Sequence, residues 1–414
     1  MGPTSVAPDE IESSEQKLFK QTSWDFLIIG ADGQQGQITS RYLYSKGFKI
    51  VCVDLYTENL HELFKGTSVP IVSCNCADDK EFTRILKLFN PKVVINLSYV
   101  PSISIVKLCL EHKASFLDIF ANLDWVDVLY NDSEDKDTTI LDLCKQNNCI
   151  VMTGAGCAPG ISSMLAKKLD EFFVEVKSVE AGFAWDSNIK KYVPPFCVSD
   201  AAEELFYFNA IVKDTEIRNV YPFSVWKEYN FPLIGTQKVY AINHIELYSF
   251  SKYFQSKGVQ DITFYGGFPD HCISVLSSLN ELDLIGDKYD RVTVVGTTGA
   301  YDFSKQEIIN AISKQIEIPK NYTETEIVWC KIEGTGLTGK PLTKTMLCKV
   351  PPIPNWEKYG CNVDTGIPAA IIAEMILNKL FDSGAYAPEV IVPCDLFFSE
   401  LQKFGFEFLF TEQL

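Results

Sequence analysis

From Trp24 onward, short β-branched apolar runs alternate with helical stretches: Phe26–Ile29, Ile50–Val53, Val93–Leu97, Phe116–Ile119 and Cys149–Met152. Several of these runs are apolar without a break, as expected for strands of a parallel sheet covered on both faces. Strand–helix–strand repetition of this kind predicts an α/β domain with a doubly wound parallel sheet. After about Gly160 the pattern changes. Longer runs rich in Tyr, Phe and Val ("VKSVEAGFAWD", "VYPFSVWKEYN", "TEIVWCKIEGTG") are separated by amphipathic stretches such as "HIELYSFSKYFQSKG". They predict a second, α+β domain with a mostly antiparallel sheet. Near the end, Thr365–Phe381 is almost entirely apolar and is expected to be a helix buried by other elements.

Composition narrows the class. A chain of 414 residues, 46% hydrophobic and 13% aromatic, is globular and long enough for two domains. A net charge of −17 argues against a nucleic-acid groove or an anionic membrane face, so neither is expected as a partner. The 13 cysteines have no framework spacing, and Cys74 and Cys76 are too close in sequence for the usual zinc pair. Buried reduced thiols and no metal are the expectation. The first 22 residues are polar and acidic, without the basic start and apolar core of a signal peptide, and read as a flexible tail. With no apolar run of 18 residues, a cytoplasmic protein is expected.

Two glycine turns carry the candidate chemistry. The first, in "DFLIIGADGQQGQITSRYLYSKGF", puts Gly30, Gly33 and Gly36, with Gln34 and Gln35 between them, at a strand-to-helix junction. A pyrophosphate there would meet the free N–H groups and the positive end of the helix dipole. The spacing is G-x-x-G-x-x-G, with Asp32 where the commoner motif has its second glycine. Asp54, at the end of the next strand, is placed to accept hydrogen bonds from both hydroxyls of a ribose and to repel a 2′-phosphate. No Lys or Arg follows it within six residues, so NAD is favoured over NADP. The alternative is a βαβ unit that binds nothing, with Asp54 a turn residue. A third glycine stretch, "GTGLTGKP", imitates a phosphate loop, but Pro341 replaces the magnesium-binding hydroxyl and the flanks predict a hairpin tip.

The second turn, "VMTGAGCAPGISSMLAKKL", ends a strand at the same carboxyl edge, where the nicotinamide of a bound cofactor would lie. Gly156 is expected beside the nicotinamide, Cys157 and Pro159 in the wall facing substrate, and Pro159 in the first turn of the helix. Here the chain resembles the saccharopine dehydrogenase-like oxidoreductases, which include saccharopine reductases, lysine ε-dehydrogenases and carboxynorspermidine synthases. The resemblance runs through "GADGQQG", "KVVINLS", "FLDIF", "GAGCAPGISSMLA", "YNFPLIGTQKVYAINHIEL", "GGFPDHCISVLSSLNELDLI" and "TGIPAAIIAEMIL". It implies an NAD-binding Rossmann domain over residues 23–156 and a substrate and dimerisation domain over 157–350. It also implies C-terminal helices, 351–414, that return to the Rossmann domain, and a homodimer. Saccharopine reductases carry Asp where this chain has Ala158, and an Arg before "GFP" where this chain has "TFYGG". The substrate is therefore left open.

Oxidising a carbon next to nitrogen needs a neutral amine, a hydride acceptor and a general base titrating near neutrality. Among four histidines, His244 and His271 stand at strand-to-helix junctions of the second domain and are the candidates, although either position also suits a helix cap. Asn96 and Ser98 end the strand expected to pass under the nicotinamide, Tyr99 follows them, and Asp118 ends the next strand, where it would hold the substrate amine or cap a helix. The reading is hydride transfer at the C–N bond of a saccharopine- or lysine-like substrate. The alternatives are an imine reductase of polyamine synthesis and a non-catalytic dinucleotide-binding protein.

Overall fold

The computed structural model describes residues 23–100, 102–120, 139–193, 201, 205–206, 209–285, 291–296 and 299–411. The tail expected over residues 1–22 lies outside this range. Two compact units emerge. The first comprises the chain up to Met164 with Asn362–Lys403, the second Leu165–Cys361 with Phe404–Leu414.

In the first unit the chain runs through β1 (Trp24–Ile29), α1 (Gln34–Ser45), β2 (Ile50–Asp54), α2 (Glu58–Leu63), β3 (Ile71–Ser73), α3 (Asp79–Phe89), β4 (Pro91–Asn96), α4 (Ser102–Glu111), β5 (Ser115–Asp118), α5 (Thr139–Asn147) and β6 (Ile150–Thr153). Helix α6 (Ile161–Asp170) begins in this unit. These strands form a wholly parallel sheet. Phe26, Leu27, Ile28, Val51, Cys52, Val53, Val94 and Phe116 have no exposure at all, which is why the runs are apolar at every position and not at alternate ones. The chain crosses from β3 at one edge to β4, on the far side of β1, so a crevice opens at the carboxyl ends of β1 and β4.

The second unit contains β7 (Phe173–Ser187), β8 (Asn209–Lys213), β9 (Glu216–Val220), β10 (Trp226–Phe231), β11 (Gly235–Ala241), α7 (Glu246–Tyr253), β12 (Asp261–Gly267), α8 (Asp270–Glu281), the hairpin β13 (Arg291–Gly296) and β14 (Gly299–Ser304), α9 (Lys305–Gln315), β15 (Glu324–Gly336) and β16 (Pro341–Val350). The chain then enters the first unit again as α10 (Val363–Leu377), β17 (Gly384–Tyr386), α11 (Pro388–Ile391) and α12 (Cys394–Gln402), and finishes in the second as β18 (Glu407–Thr411). The large sheet has the order β10-β11-β12-β7-β15-β16-β18, with β8 and β9 branching from β12. Only the β12–β7 pair is parallel. Tyr229 on the edge strand β10 lies 5.0 Å, ring to ring, from Trp329 on β15. Three strands separate those two in hydrogen-bonding order, so the sheet is strongly curled. The stretch from Gly334 to Pro341 is the tip of the β15–β16 hairpin.

The buried C-terminal helix packs on the parallel sheet. Along α10 nearly every residue from Val363 to Ile376 is buried, against α1, β4, β5 and α12. By length and composition the stretch Glu357–Leu377 would suit a bilayer, but 72% of its most apolar 18-residue window is buried inside the protein. A Cβ on Gly366 would come within 2.6 Å of Ile38 Cγ2, so glycine sets how closely α10 approaches α1, and Thr39 Oγ1 donates to the Gly366 carbonyl across the contact (2.9 Å). Three boundaries differ from those expected, one being the return to the first unit, which comes at Asn362 and not at 351. The start of α6 stays with the first unit through Met164. Residues after Lys403 leave it, because β18 finds its backbone partners on β16. Every described cysteine is a free thiol, and all but Cys157 are buried.

Candidate functional site

The first glycine turn closes on itself at backbone level. Gly30 has φ +75°, and a Cβ there would lie 2.7 Å from the Leu97 carbonyl oxygen. A Cβ on Gly36 would lie 2.1 Å from the Gly30 oxygen. These two glycines let the end of β1 pass against the end of β4 and then turn into α1. Gly33 and Gln34 are exposed, and a Cβ on Gly33 would enter open space but for the Gly30 oxygen at 3.4 Å. As the N-cap of α1, Gly33 brings no side-chain cap, and the first turn contains no acidic residue. Gln35 Nε2 donates to Asn362 Oδ1 (3.2 Å) while its buried Oε1 has no partner among the described residues. An uncapped helix start with room above a glycine fits a dinucleotide pyrophosphate.

Asp32 explains the departure from the commoner glycine motif. Its carboxylate turns away from the turn's mouth, accepting from Asn59 Nδ2 and from the Leu60 N–H, both at 2.8 Å, at the start of α2. Its own N–H donates to Asp54 Oδ2 (2.9 Å). Among the described residues Asp54 Oδ1 accepts only a long bond from the Tyr56 N–H (3.4 Å), which leaves this half-buried carboxylate acceptor capacity for a ligand.

The next two strand ends form one polar network. Asn96 is fully buried. Its Oδ1 accepts from the Ser98 N–H (3.2 Å) and hydroxyl (2.8 Å), and its Nδ2 donates to the Val100 carbonyl (3.1 Å) and to Asp118 Oδ2 (3.2 Å). Asp118 also accepts from the Phe120 N–H (2.8 Å) and is 0% exposed. Burial pushes its carboxyl up to about 7, against the pull of its Phe120 and Asn96 bonds. The expectation that Asp118 holds a substrate amine thus needs correction: its oxygens face inward and brace the loops after β4 and β5. Among the described residues of these loops, two exposed side chains are aromatic. Tyr99 and Phe120, 72% and 41% exposed, lie 5.4 Å apart, ring to ring.

Where β6 ends, Gly154 has φ +77° and Gly160 φ +135°. A Cβ on Gly160 would lie 1.9 Å from the Gly156 oxygen, so the bend from Gly156 to Gly160 is as tight as glycine permits. Helix α6 starts at Ile161, so Pro159 lies in the bend and not in the first helical turn as expected. Gly156 faces the start of α10: its Cβ would stand 3.1 Å from Thr365 Cγ2 and 3.7 Å from Ile119. The Cys157 thiol donates to Asp364 Oδ2 (2.9 Å) on that same helix start.

Gly30, Gly33, Gln34, Gln35, Gly36, Asp54, Asn96, Ser98, Tyr99, Asp118, Gly156, Cys157 and Pro159 therefore share the carboxyl edge of one parallel sheet. His244 and His271 belong to the second unit. The His244 ring stacks on Phe264 (4.2 Å, 13° between planes), and its Nδ1 faces Glu246, which is fully buried. His271 stands in the first turn of α8 with its Nε2 buried and unpartnered among the described residues. Burial, and next Lys190, lower its pKa. No local sequence pattern marks Asn362, Asp364 or Thr365. Their place at the glycine turns depends on a helix more than 200 residues downstream, which local pattern does not register.

A doubly wound domain with a glycine-lined, uncapped helix start and an acidic residue closing the second strand is a dinucleotide-binding domain, here joined to a second, mixed-sheet unit. Residues 26–155 match the saccharopine dehydrogenase NADP binding domain, and residues 156–406 match the saccharopine dehydrogenase C-terminal domain. The chain belongs to the saccharopine dehydrogenase family. It is 23% identical over 221 residues to carboxynorspermidine synthase of Vibrio cholerae and 24% identical over 225 residues to that of Vibrio alginolyticus, each alignment covering 51% of both chains. The chain thus spans about half the length of the curated relatives it matches. In fold it is similar to saccharopine dehydrogenase (L-Glu forming) of Saccharomyces cerevisiae, with a TM-score of 0.68 at 14% identity over 94% of this chain and 99% of that one.

Proposed function

We propose that the chain is an NAD-dependent oxidoreductase acting on a C–N bond, with an amino acid or an opine-type adduct of the saccharopine or lysine kind as substrate. One observation carries this reading: the glycine-lined helix start, Asp54, the Asn96 network and the Gly154–Gly160 bend all open at one sheet edge, in a chain of this family. A bound nicotinamide supplies the hydride acceptor or donor. The protein's own part is to hold and orient. The α1 start takes the pyrophosphate, Asp54 the adenosine ribose, and the loops braced by Asn96 and Asp118 hold Tyr99 and Phe120 outward toward the reacting end. The general base is one of the two junction imidazoles, His244 with its buried Glu246 or His271. NAD is preferred because the Asp54 carboxylate would accept the ribose hydroxyls and repel a 2′-phosphate, with no Lys or Arg in the six residues after it.

A second reading draws on the relatives' names: reduction of an imine formed from a diamine and an aldehyde, as in polyamine synthesis. Dinucleotide reduction and oxidation followed by absorbance against lysine, saccharopine and diamine–aldehyde mixtures separates the two. Turnover of lysine or saccharopine supports the first, turnover of the mixture alone supports the second. Binding of NADH with turnover of none overturns both in favour of a non-catalytic dinucleotide-binding protein.

A further inference from the structure

We infer that Asp32 is a positioning residue for dinucleotide selectivity, acting through Asp54; the inference rests on the NAD reading above. The residue stands where the commoner motif has a glycine, yet all its polar groups are engaged. The carboxylate takes both donors at the α2 start, Asn59 Nδ2 and the Leu60 N–H; the N–H holds Asp54 Oδ2; the carbonyl accepts from Gln37 Nε2 at 2.7 Å. One residue thereby ties the glycine turn, the end of β2 and the first turn of α2 into a single knot, and it is itself 8% exposed. Its charge is met by a side-chain amide and a helix N-terminus, so it does not oppose a pyrophosphate as a free carboxylate would.

The consequence falls on Asp54. A carboxylate that discriminates a hydroxyl from a phosphate does so by direction, and among the described residues the Asp32 N–H makes the one short bond that sets the direction of Asp54. Asp32→Asn keeps the volume and an acceptor for Leu60, but its amide NH2 confronts the NH2 of Asn59, so the knot opens on one side. Asn59→Ala opens the same side without touching the glycine turn.

The test is a fluorescence titration of the full chain with NADH and with NADPH, for wild type, Asp32→Asn, Asn59→Ala, Asp54→Ala and the Asp32→Asn/Asp54→Ala double variant. Expected is a roughly five- to tenfold weaker NADH affinity in Asp32→Asn, a smaller loss in the same direction in Asn59→Ala, and little change for NADPH, so that the selectivity ratio falls. In the Asp54→Ala background, Asp32→Asn should change nothing further. Equal weakening for both dinucleotides, or losses that add in the double variant, would show a merely structural role and overturn the inference. If Asp32→Asn does not fold, Asn59→Ala decides: an unchanged ratio in that variant overturns it. A wild type that binds neither dinucleotide, or prefers NADPH, removes the underlying cofactor reading instead.

Discussion

At the scale of single residues, the decisive atoms are buried ones. Asp118 is held inside the sheet edge, where burial raises its carboxyl from 3.8 to about 7. Between those values the folded chain keeps a proton that the unfolded chain has released, so stability falls as pH rises from about 4 to 7 and levels off above. Asp118→Asn removes this dependence. Urea melts at several pH values should show the variant gaining on wild type by about 1.4 kcal/mol per pH unit across that window; parallel curves would mean that Asp118 is ionised throughout. Asp54→Ala should weaken NADH binding by roughly 1.5–3 kcal/mol, one hydrogen bond to a charged group, and relax the preference over NADPH in the same titration. Gly156 makes a different demand. Its φ is not in the left-handed region, but a Cβ would press on Thr365 at 3.1 Å. Gly156→Val should therefore fold, bind the adenosine half of NAD at the first turn, and lose turnover by orders of magnitude with any substrate the parent accepts. A wild-type rate in that variant would remove the bend from the reaction site.

At the scale of elements, the packing of α10 on α1 sets one rule of propensity against another. Replacing a helical glycine by alanine ordinarily stabilises by up to about 1 kcal/mol. At Gly366 the new methyl would lie 2.6 Å from Ile38 Cγ2 and 3.1 Å from the Gln35 carbonyl oxygen. Ile38 is fully buried and stiff at χ1, so it has nowhere to go. Overpacking should win, and Gly366→Ala should cost about 1–3 kcal/mol in denaturant unfolding; a stabilised variant would show that the helices can separate. This contact also marks what sequence conveys. Apolar runs without alternation identified β1, β2, β4, β5 and β6, and the same logic placed a buried helix at Thr365–Phe381, observed as Val363–Leu377. Strands β3 and β17, three residues each, are too short to show any period and went unnoticed. Gly30, Gly36 and Asp54 were legible because each sits at a fixed place in one local strand–turn–helix–strand unit. The Gln35–Asn362 and Cys157–Asp364 bonds were not, since each joins residues more than 200 positions apart. Asp118 was legible as a strand-end acid, but not its direction, which the Asn96 and Phe120 donors decide.

At the scale of the whole molecule, neither unit is a continuous segment. The first is completed by Asn362–Lys403 and the second by Phe404–Leu414. The two returns differ in what they bury. Along α10, Val363, Ile367, Ala369, Ala370, Ile372 and Ala373 have no exposure, and Phe397 and Leu401 of α12 have none either. On β18, Leu409 and Phe410 remain 38% and 51% exposed, and the strand mainly supplies backbone partners to an edge. At roughly 1.5–3 kcal/mol for each fully buried large apolar side chain, Val363, Ile367, Ile372, Phe397 and Leu401 together are worth on the order of 10 kcal/mol of gross burial, comparable to a typical domain's net stability of about 5–15 kcal/mol. A chain stopped after Cys361 should therefore lose the first unit's fixed packing, seen as loss of near-ultraviolet dichroism from its aromatic residues, together with NADH binding. A chain stopped after Lys403 exposes one edge of the curled sheet and leaves α10 in place. It should keep NADH affinity within about twofold of wild type, since that change is under 0.5 kcal/mol, and lose only some stability of the second unit. If the chain ending at Cys361 still bound NADH with near wild-type affinity, α10 would have to be dispensable to the parallel sheet, contrary to its packing on α1, β4 and β5.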